Sequence, residues 1–258
     1  MIRFFTSPSD VFDGMIHLTD EDAAHIRSLR LRPSEEFIIC DGEGIDYTCR
    51  LAERELVPGS FKDGRESSGA APFARILGKN PSLGEPSVRN DLYIALQKGD
   101  RLEYAVQKSV ELGVFKIILF KSERCVASGD NIAKKITRLQ RIALETAKQS
   151  GRGIVPEITA ALSFMSAVES ASSAGLRLFC YEDEKKHGLK ETLESYKGNG
   201  TISVITGPEG GFTPEEAAAA KDAGILSISL GPRILRSETA PPAVLTAIMY
   251  HFGELGFK

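Results

Sequence analysis

The sequence predicts an α/β protein with a mostly parallel sheet, preceded by a smaller β-rich region. From about residue 91 onward, short apolar runs alternate with helical patterns, which is typical of a parallel sheet covered by helices on both faces. Residues 1–86 show period-two strand patterns and one short helix instead. A stretch containing Pro81, Gly84 and Pro86 separates the two patterns. We therefore expect domains at 1–86 and 87–258.

The composition is that of an ordinary globular protein, with 42% hydrophobic and 26% charged residues and a net charge of −3. No apolar run approaches the ~20 residues of a membrane span, and the first residues lack the apolar core of a secretory signal. We therefore expect a cytoplasmic protein. Cysteines are widely spaced and have no histidine pairs nearby, which favours reduced thiols over a zinc site. They are Cys40, Cys49, Cys125 and Cys180.

In the N-terminal region a helix is expected to begin after Thr19, where three acidic residues follow. Alternating patterns predict strands at 36–40 and 46–52, joined by a turn at 41–44, and a returning strand at 73–77. Residues 57–71 are rich in glycine, serine and charge, so we expect a mobile loop there.

In the C-terminal region the apolar runs predict strands at 92–96, 114–120, 176–181, 201–206 and 225–230. Helices are expected at 101–112, 131–149, 162–171, 189–196 and 214–223, and from 239 onward. Ligands bind such sheets beyond the carboxyl ends of the strands. The loops at 181–183, 207–211 and 231–236 are therefore expected to converge on one pocket.

Two of these loops carry unusual sequences: residues 207–216 are GPEGGFTPEE and residues 229–240 are SLGPRILRSETA. Three glycines in five residues let backbone amides approach a ligand closely. Thr213 and Glu216 form a capping-box pattern with a proline at the first helical position. Either loop alone is equally well explained as a common strand-to-helix turn. Two such loops, the second carrying Arg233, Arg236 and Glu238, favour a ligand site.

Both loops closely resemble the signature loops of the SPOUT-class knotted methyltransferases. The nearest group methylates N3 of a uridine in bacterial 16S ribosomal RNA. Weaker similarity at 97–101, 107–114, 122–125 and 149–152 extends the resemblance over most of the chain. It implies S-adenosylmethionine as cofactor, a C-terminal trefoil knot, a PUA-like RNA-binding β-barrel at 1–86 and a homodimer. Pro241 and Pro242 depart from the usual pattern, but prolines are tolerated in a helix's first turn.

The resemblance, together with the loop pattern, also assigns site residues. The expected cofactor-binding residues are Tyr181, Ile205, Gly207, Glu209, Gly210, Gly211, Leu230, Gly231, Ile234, Leu235 and Arg236. The expected catalytic residues are Arg236, which would stabilise negative charge on the uracil, and Glu238, which would orient Arg236 or relay a proton. A structural ion pair between these two residues is the alternative.

Basic residues indicate where RNA would bind, since guanidinium groups suit phosphate oxygens. In the 131–149 helix, basic residues from Lys134 to Lys148 fall close to one stripe, which we expect to continue to Arg152. A solvated helix face is the alternative for any such run. The expected RNA-binding residues are Arg27, Arg30, Arg32, Lys98, Arg124, Arg138, Arg141 and Arg152.

Three other functions stay open from the sequence. The protein could be a non-catalytic RNA-binding or ribosome-assembly protein on the same fold, although the intact glycines argue against lost cofactor binding. It could methylate a different RNA base or a ribose. A nucleotide- or dinucleotide-dependent enzyme is a third possibility, which the lack of phosphate-binding glycine motifs disfavours.

Overall fold

A computed structural model describes residues 2–52, 73–127, 131–161 and 163–256. The predicted loop at 57–71 and the predicted helix start at Leu162 lie outside these residues. The chain divides into two compact units, one of Met1–Glu85 with Ala147–Val155 and the other of Pro86–Thr146 with Pro156–Lys258. The sequence pattern did not indicate that 147–155 belongs with the N-terminal unit.

The N-terminal unit contains a six-stranded sheet in the order β1-β4-β5-β6-β3-β2. All neighbouring strands are antiparallel except β1 and β4. Its strands are β1 (Arg3–Phe5), β2 (Val11–Phe12), β3 (Met15–His17), β4 (Phe37–Cys40), β5 (Ile45–Leu51) and β6 (Phe73–Pro81), with helix α1 at Asp20–Ser28. Thr19 caps α1 by accepting a hydrogen bond from the amide of Asp22, as the sequence predicts. Phe4, Ile16, Phe37 and Ile39 form the centre of the core.

A charged network lies at one edge of this unit. Arg3 donates two hydrogen bonds to Asp46, at 2.7 and 2.8 Å. Ser82 and the Cys40 thiol also donate to this carboxylate. Burial disfavours the ionised form of Asp46, but these donors outweigh it and lower the pKa of the carboxyl below its usual value.

Arg152 lies in the same unit, and here the prediction of a continuous exposed stripe is wrong. Helix α3 (Ile132–Ser150) ends two residues earlier, and Gly151 adopts a left-handed φ of 79°. Helical spacing therefore does not extend to Arg152. Its side chain is buried and pairs with Glu85 at 2.7 Å, while Glu85 also accepts the amides of Gly153 and Ile154.

The second unit contains a six-stranded, wholly parallel sheet in the order β12-β10-β11-β7-β8-β9. Its strands are β7 (Asn90–Ala95), β8 (Lys116–Phe120), β9 (Glu157–Ala160), β10 (Leu176–Cys180), β11 (Ile202–Thr206) and β12 (Leu226–Ile228). The other helices are α2 (Arg101–Glu111), α4 (Phe164–Ala171), α5 (Leu189–Ser195), α6 (Pro214–Asp222) and α7 (Ala240–His251). The sequence did not predict β9, which is a short edge strand of mixed polarity.

An aromatic cluster fixes one side of this sheet. Phe212, 2% exposed, packs against Phe179 at a ring separation of 4.3 Å and also contacts Phe120 and Phe164.

Because all six strands are parallel, the carboxyl ends of β10, β11 and β12 meet at one edge. Within the described parts of the chain, no helix is both long and apolar enough to cross a bilayer.

Candidate active site

Three loops at this edge of the second unit enclose a cleft of about 1230 Å³. They follow β10, β11 and β12, which confirms that the three predicted loops converge. The cleft is lined by residues 180–188, 207–211 and 229–238, together with Arg101, Glu191 and Ala240.

The first glycine loop, residues 207–211, is packed so closely that side chains are excluded. A Cβ at Gly210 would lie 2.9 Å from Cβ and 3.1 Å from the carbonyl oxygen of Arg124. Gly211 has a left-handed φ of 68°, and a Cβ there would collide with the Glu182 carboxylate. Arg124 holds the loop by donating hydrogen bonds to the carbonyls of Gly210 and Phe212. At Gly210 and Gly211 the loop therefore presents only backbone to the cleft.

The predicted capping box closes this loop onto α6. Thr213 Oγ1 accepts from the amide of Glu216, and Glu216 Oε2 accepts from the amide of Thr213. The buried Glu216 also accepts from the Ser122 hydroxyl at 2.9 Å and from the Glu123 amide at 3.0 Å. The box thus stabilises the helix start and also fixes it to the loop after β8.

The second glycine loop, residues 229–238, is more open. Gly231 has a φ of 106°, and no atom lies within 4 Å of a Cβ placed there. Ile234 is 87% exposed, so an apolar side chain is available at the cleft without a protein contact to bury it. The far end of the loop is held by Gln97, whose side-chain amide donates to the carbonyl of Ser237 at 2.9 Å.

Charge in the cleft centres on Arg101, a residue that the sequence did not assign to the site. Arg101 Nη1 lies 3.1 Å from Glu209 Oε1, and Arg101 Nε lies 3.9 Å from Glu238 Oε1. Glu209 also accepts the Lys98 amide at 2.9 Å. Burial disfavours the Glu209 carboxylate, but these donors outweigh it and lower its pKa. Glu209 is therefore ionised at neutral pH.

The structure brings most of the predicted cofactor residues together, with one correction. Ile205 does not line the cleft: it is fully buried in the central strand β11 and packs in the aromatic core cluster. A central parallel strand is covered on both faces, so its side chains point into the core. The other predicted cofactor residues line the cleft: Tyr181, Gly207, Glu209, Gly210, Gly211, Leu230, Gly231, Ile234, Leu235 and Arg236.

The predicted catalytic pair lines the cleft, but its two members are not paired with each other. Glu238 lies beside Arg101 and accepts a hydrogen bond from the Ser237 hydroxyl. Arg236 is exposed, and its guanidinium forms no ion pair with a described residue. The alternative of a structural Arg236–Glu238 ion pair is therefore wrong.

The predicted RNA-binding residues have diverse surroundings. Arg27, Arg30 and Arg32 are exposed in the N-terminal unit. In the second unit, Lys98 is also exposed, while Arg138 pairs with Glu103 at 2.9 Å but keeps 68% of its side chain exposed. Arg141 lines a second, smaller hollow of about 500 Å³ between α2 and α3. Arg124 is engaged with the first loop, and Arg152 is buried.

Comparison with known proteins agrees with this architecture. A family model described as an RNA methyltransferase domain matches residues 84–249, more than half of the chain. The chain belongs to this RNA methyltransferase family. A second model, for the PUA domain of RNA methyltransferases, matches residues 18–56.

Several relatives of this methyltransferase align over nearly its whole length. This chain is 33% identical to ribosomal RNA small subunit methyltransferase E of Mesomycoplasma hyopneumoniae, and the alignment covers 95% of this chain and 98% of the relative. It is 30% identical to the protein of the same name from Bacillus subtilis, over 90% of this chain and 89% of the relative. A crystal structure of the Neisseria gonorrhoeae enzyme of that name, bound to S-adenosyl methionine, superposes with a TM-score of 0.80 at 31% identity, covering 97% of each chain.

The expected SPOUT-class fold with a PUA-like N-terminal domain is confirmed for this methyltransferase. The trefoil knot stays a prediction, since strand order and register do not define how a chain is threaded. Within the described residues, no group of three or more His, Cys, Asp or Glu side chains could hold a metal ion.

Proposed function

We propose that this methyltransferase transfers a methyl group from S-adenosylmethionine to N3 of a uridine in 16S ribosomal RNA. The observation that carries the proposal is the opening of both glycine loops onto one cleft that also contains the exposed Arg236. The names of the relatives support a small-subunit ribosomal RNA substrate, and the bound ligand of the Neisseria enzyme supports the cofactor.

The cleft suits S-adenosylmethionine in size and in lining. Its volume of about 1230 Å³ exceeds the roughly 300–1,000 Å³ of ordinary small-molecule pockets, which leaves space for the edge of a target base. Backbone groups at Gly210 and Gly211 can bind the adenosine moiety, because the absence of a Cβ lets the loop pack against Arg124 and Glu182 at the edge of the cleft. Leu230, Ile234 and Leu235 offer apolar contacts. When bound, the cofactor supplies an electrophilic methyl group on a sulfonium.

At the uracil, this chain would stabilise the negative charge that forms when N3 loses its proton. Uracil N3 is a weak acid that is mostly protonated at neutral pH, and loss of its proton spreads negative charge to O2 and O4. The guanidinium of Arg236 is a permanent cation without an ion-pair partner among the described residues, so its donors are free to stabilise that charge. Glu238, which lines the same cleft, would accept the N3 proton on its carboxylate and pass it to solvent. Burial and the nearby Asp183 and Glu182 raise the pKa of Tyr181, which keeps that phenol neutral and unsuited to act as the base.

RNA binding is assigned to the exposed basic residues Arg27, Arg30, Arg32, Lys98, Arg138 and Arg141. Their guanidinium and ammonium groups would contact phosphates, which position the RNA without reading its sequence. The target uridine would leave its stack to enter the cleft. Two expected residues are omitted from this set. Arg124 donates to the carbonyls of Gly210 and Phe212, and the guanidinium of Arg152 is buried against Glu85.

We further propose that the enzyme acts as a cytoplasmic homodimer. Tyr104 on α2 and Tyr250 on α7 are 49% and 77% exposed, and aromatic residues are enriched at protein interfaces. A ribosomal RNA substrate requires access to ribosomes or their precursors, which supports the compartment. Light scattering on the purified protein would measure the mass in solution, and a monomer would contradict the dimer.

The decisive experiment is methyl transfer from labelled S-adenosylmethionine to naked 16S ribosomal RNA and to small subunits from a strain that lacks the enzyme. We expect one labelled uridine whose N3 methyl group blocks the Watson–Crick edge and stops reverse transcriptase. Label on a ribose or another base would change the assigned target. Cofactor binding without any transfer would favour a non-catalytic role in ribosome assembly.

A further inference from the structure

We propose that Arg101 is a positioning residue that holds the two glycine loops in the arrangement required for cofactor binding. The inference deepens the proposed function and rests on it. Arg101 is the first residue of α2, and one guanidinium there reaches a carboxylate from each loop, Glu209 and Glu238.

The residues from the end of β7 to the start of α2 make four contacts with the two loops, through three groups. On the first loop, Glu209 Oε1 accepts from the Lys98 amide at 2.9 Å and from Arg101 Nη1 at 3.1 Å. On the second loop, Gln97 donates to the carbonyl of Ser237 at 2.9 Å, and Arg101 Nε lies 3.9 Å from Glu238. Among the described residues of this segment, only Arg101 contacts both loops through a single group.

The position of Arg101 is unfavourable for the helix itself. The N-terminus of a helix carries partial positive charge, so a cation in the first turn is destabilising there. The carboxylates of Glu209 and Glu238 compensate for this unfavourable position, and the guanidinium in turn lies between these two negative charges. Removal of Arg101 would leave Glu209 and Glu238, which both approach its guanidinium, without this shared cation, and repulsion between the two carboxylates would favour separation of the loops.

Glu209 is also poorly satisfied without this contact. Its Oε2 atom is buried and, among the described residues, has no hydrogen-bond partner, so Oε1 makes the compensating interactions. A buried carboxylate that loses a donor becomes more costly to keep in place. The first loop is therefore the one that we expect to shift when Arg101 is removed.

The test is calorimetric binding of S-adenosylmethionine to full-length variants in the absence of RNA. Arg101→Ala should raise the Kd for the cofactor by ~10-fold. Arg101→Lys keeps the charge but loses the planar fork, so it should recover part of the affinity. The matched control is Lys108→Ala, which removes another cation of α2 that pairs with Glu111 at 2.7 Å and does not line the cleft. It should bind the cofactor as the wild type does.

A double variant separates positioning from a general loss of stability. If Arg101 acts by offsetting the charge of Glu238, then adding Glu238→Gln to Arg101→Ala should relieve the repulsion and restore part of the lost affinity. Equal affinity of wild type and Arg101→Ala would refute the inference alone. Equal weakening in Lys108→Ala would also refute it, since any lost charge on α2 would then suffice. A wild type that binds no S-adenosylmethionine would refute the proposed function and, with it, this inference.

Discussion

Replacing Gly210 by alanine tests whether the backbone of the first loop binds the cofactor. The added Cβ would lie 2.9 Å from Cβ and 3.1 Å from the carbonyl oxygen of Arg124. Both atoms are at or next to the main chain and have little freedom to move aside. Overpacking of this kind costs about 1–3 kcal/mol. The loop is expected to shift to relieve it, because Arg124 also holds the carbonyls of Gly210 and Phe212.

If cofactor binding requires the original loop position, the free energy needed to restore that position weakens binding by the same amount. The Kd for S-adenosylmethionine should rise by ~10–100-fold, since each 1.4 kcal/mol corresponds to a factor of ten. Isothermal calorimetry on the purified protein measures the change, and circular dichroism confirms that the variant is folded.

Two further variants distinguish a change in the cofactor loop from a general loss of stability. Gly211→Ala introduces a side chain at a φ of 68°, which costs about 1–2 kcal/mol, and should also weaken binding. Gly253 has a similar φ of 77° at the end of α7, with open space around it, so Gly253→Ala should lower the melting temperature and leave cofactor affinity unchanged. Wild-type affinity in a folded Gly210→Ala protein would refute the reasoning, as would equal weakening in Gly253→Ala.

Three other predictions concern chemistry, RNA binding and stability. Arg236→Ala should lower the single-turnover methylation rate by roughly 10²–10³-fold, as expected for loss of one preorganised donor, with a much smaller change in cofactor affinity. Arg138→Ala combined with Arg141→Ala should weaken RNA binding and reduce the slope of log K against log salt by ~0.7 per lost contact with a single strand. Asp46→Asn should destabilise the protein by about 2–3 kcal/mol at neutral pH, because it breaks a partly buried ion pair with Arg3. The native pKa of Asp46 is lowered, so its contribution is present above the unfolded pKa of about 4 and is lost as pH falls through the native value.

Each of these predictions has a distinct contrary outcome. Loss of cofactor binding in proportion to activity would make Arg236 a cofactor-loop residue, and full rescue by Arg236→Lys would argue against a role for the planar fork. An unchanged slope of log K against log salt would show that Arg138 and Arg141 do not contact RNA phosphates and only form a solvated helix surface. A stability difference between wild type and Asp46→Asn that persists undiminished at pH 2 would show that the carboxylate charge is not its source.

Local sequence patterns determine many of the helices and strands of this protein and the positions of its loops. The capping box at Thr213 and Glu216 needs only groups three residues apart, so its pattern predicts the helix start without tertiary information. Alternating apolar runs and helical patterns likewise predict the parallel sheet, and a parallel sheet places its loops at one edge. The resemblance of two loops to a known family then supplied the expected cofactor and substrate.

Tertiary structure alone decided how the charges of the cleft and of Arg152 are partnered. Arg101 meets Glu209 and Glu238, which lie more than a hundred residues away in sequence, and no local pattern encodes such a contact. Arg152 shows the reverse case: helical spacing predicts an exposed cation, yet the helix ends first and the chain buries it against Glu85. Periodicity reports which face of an element is apolar, whereas the partner of a charged side chain depends on which distant segment folding brings within about 4 Å.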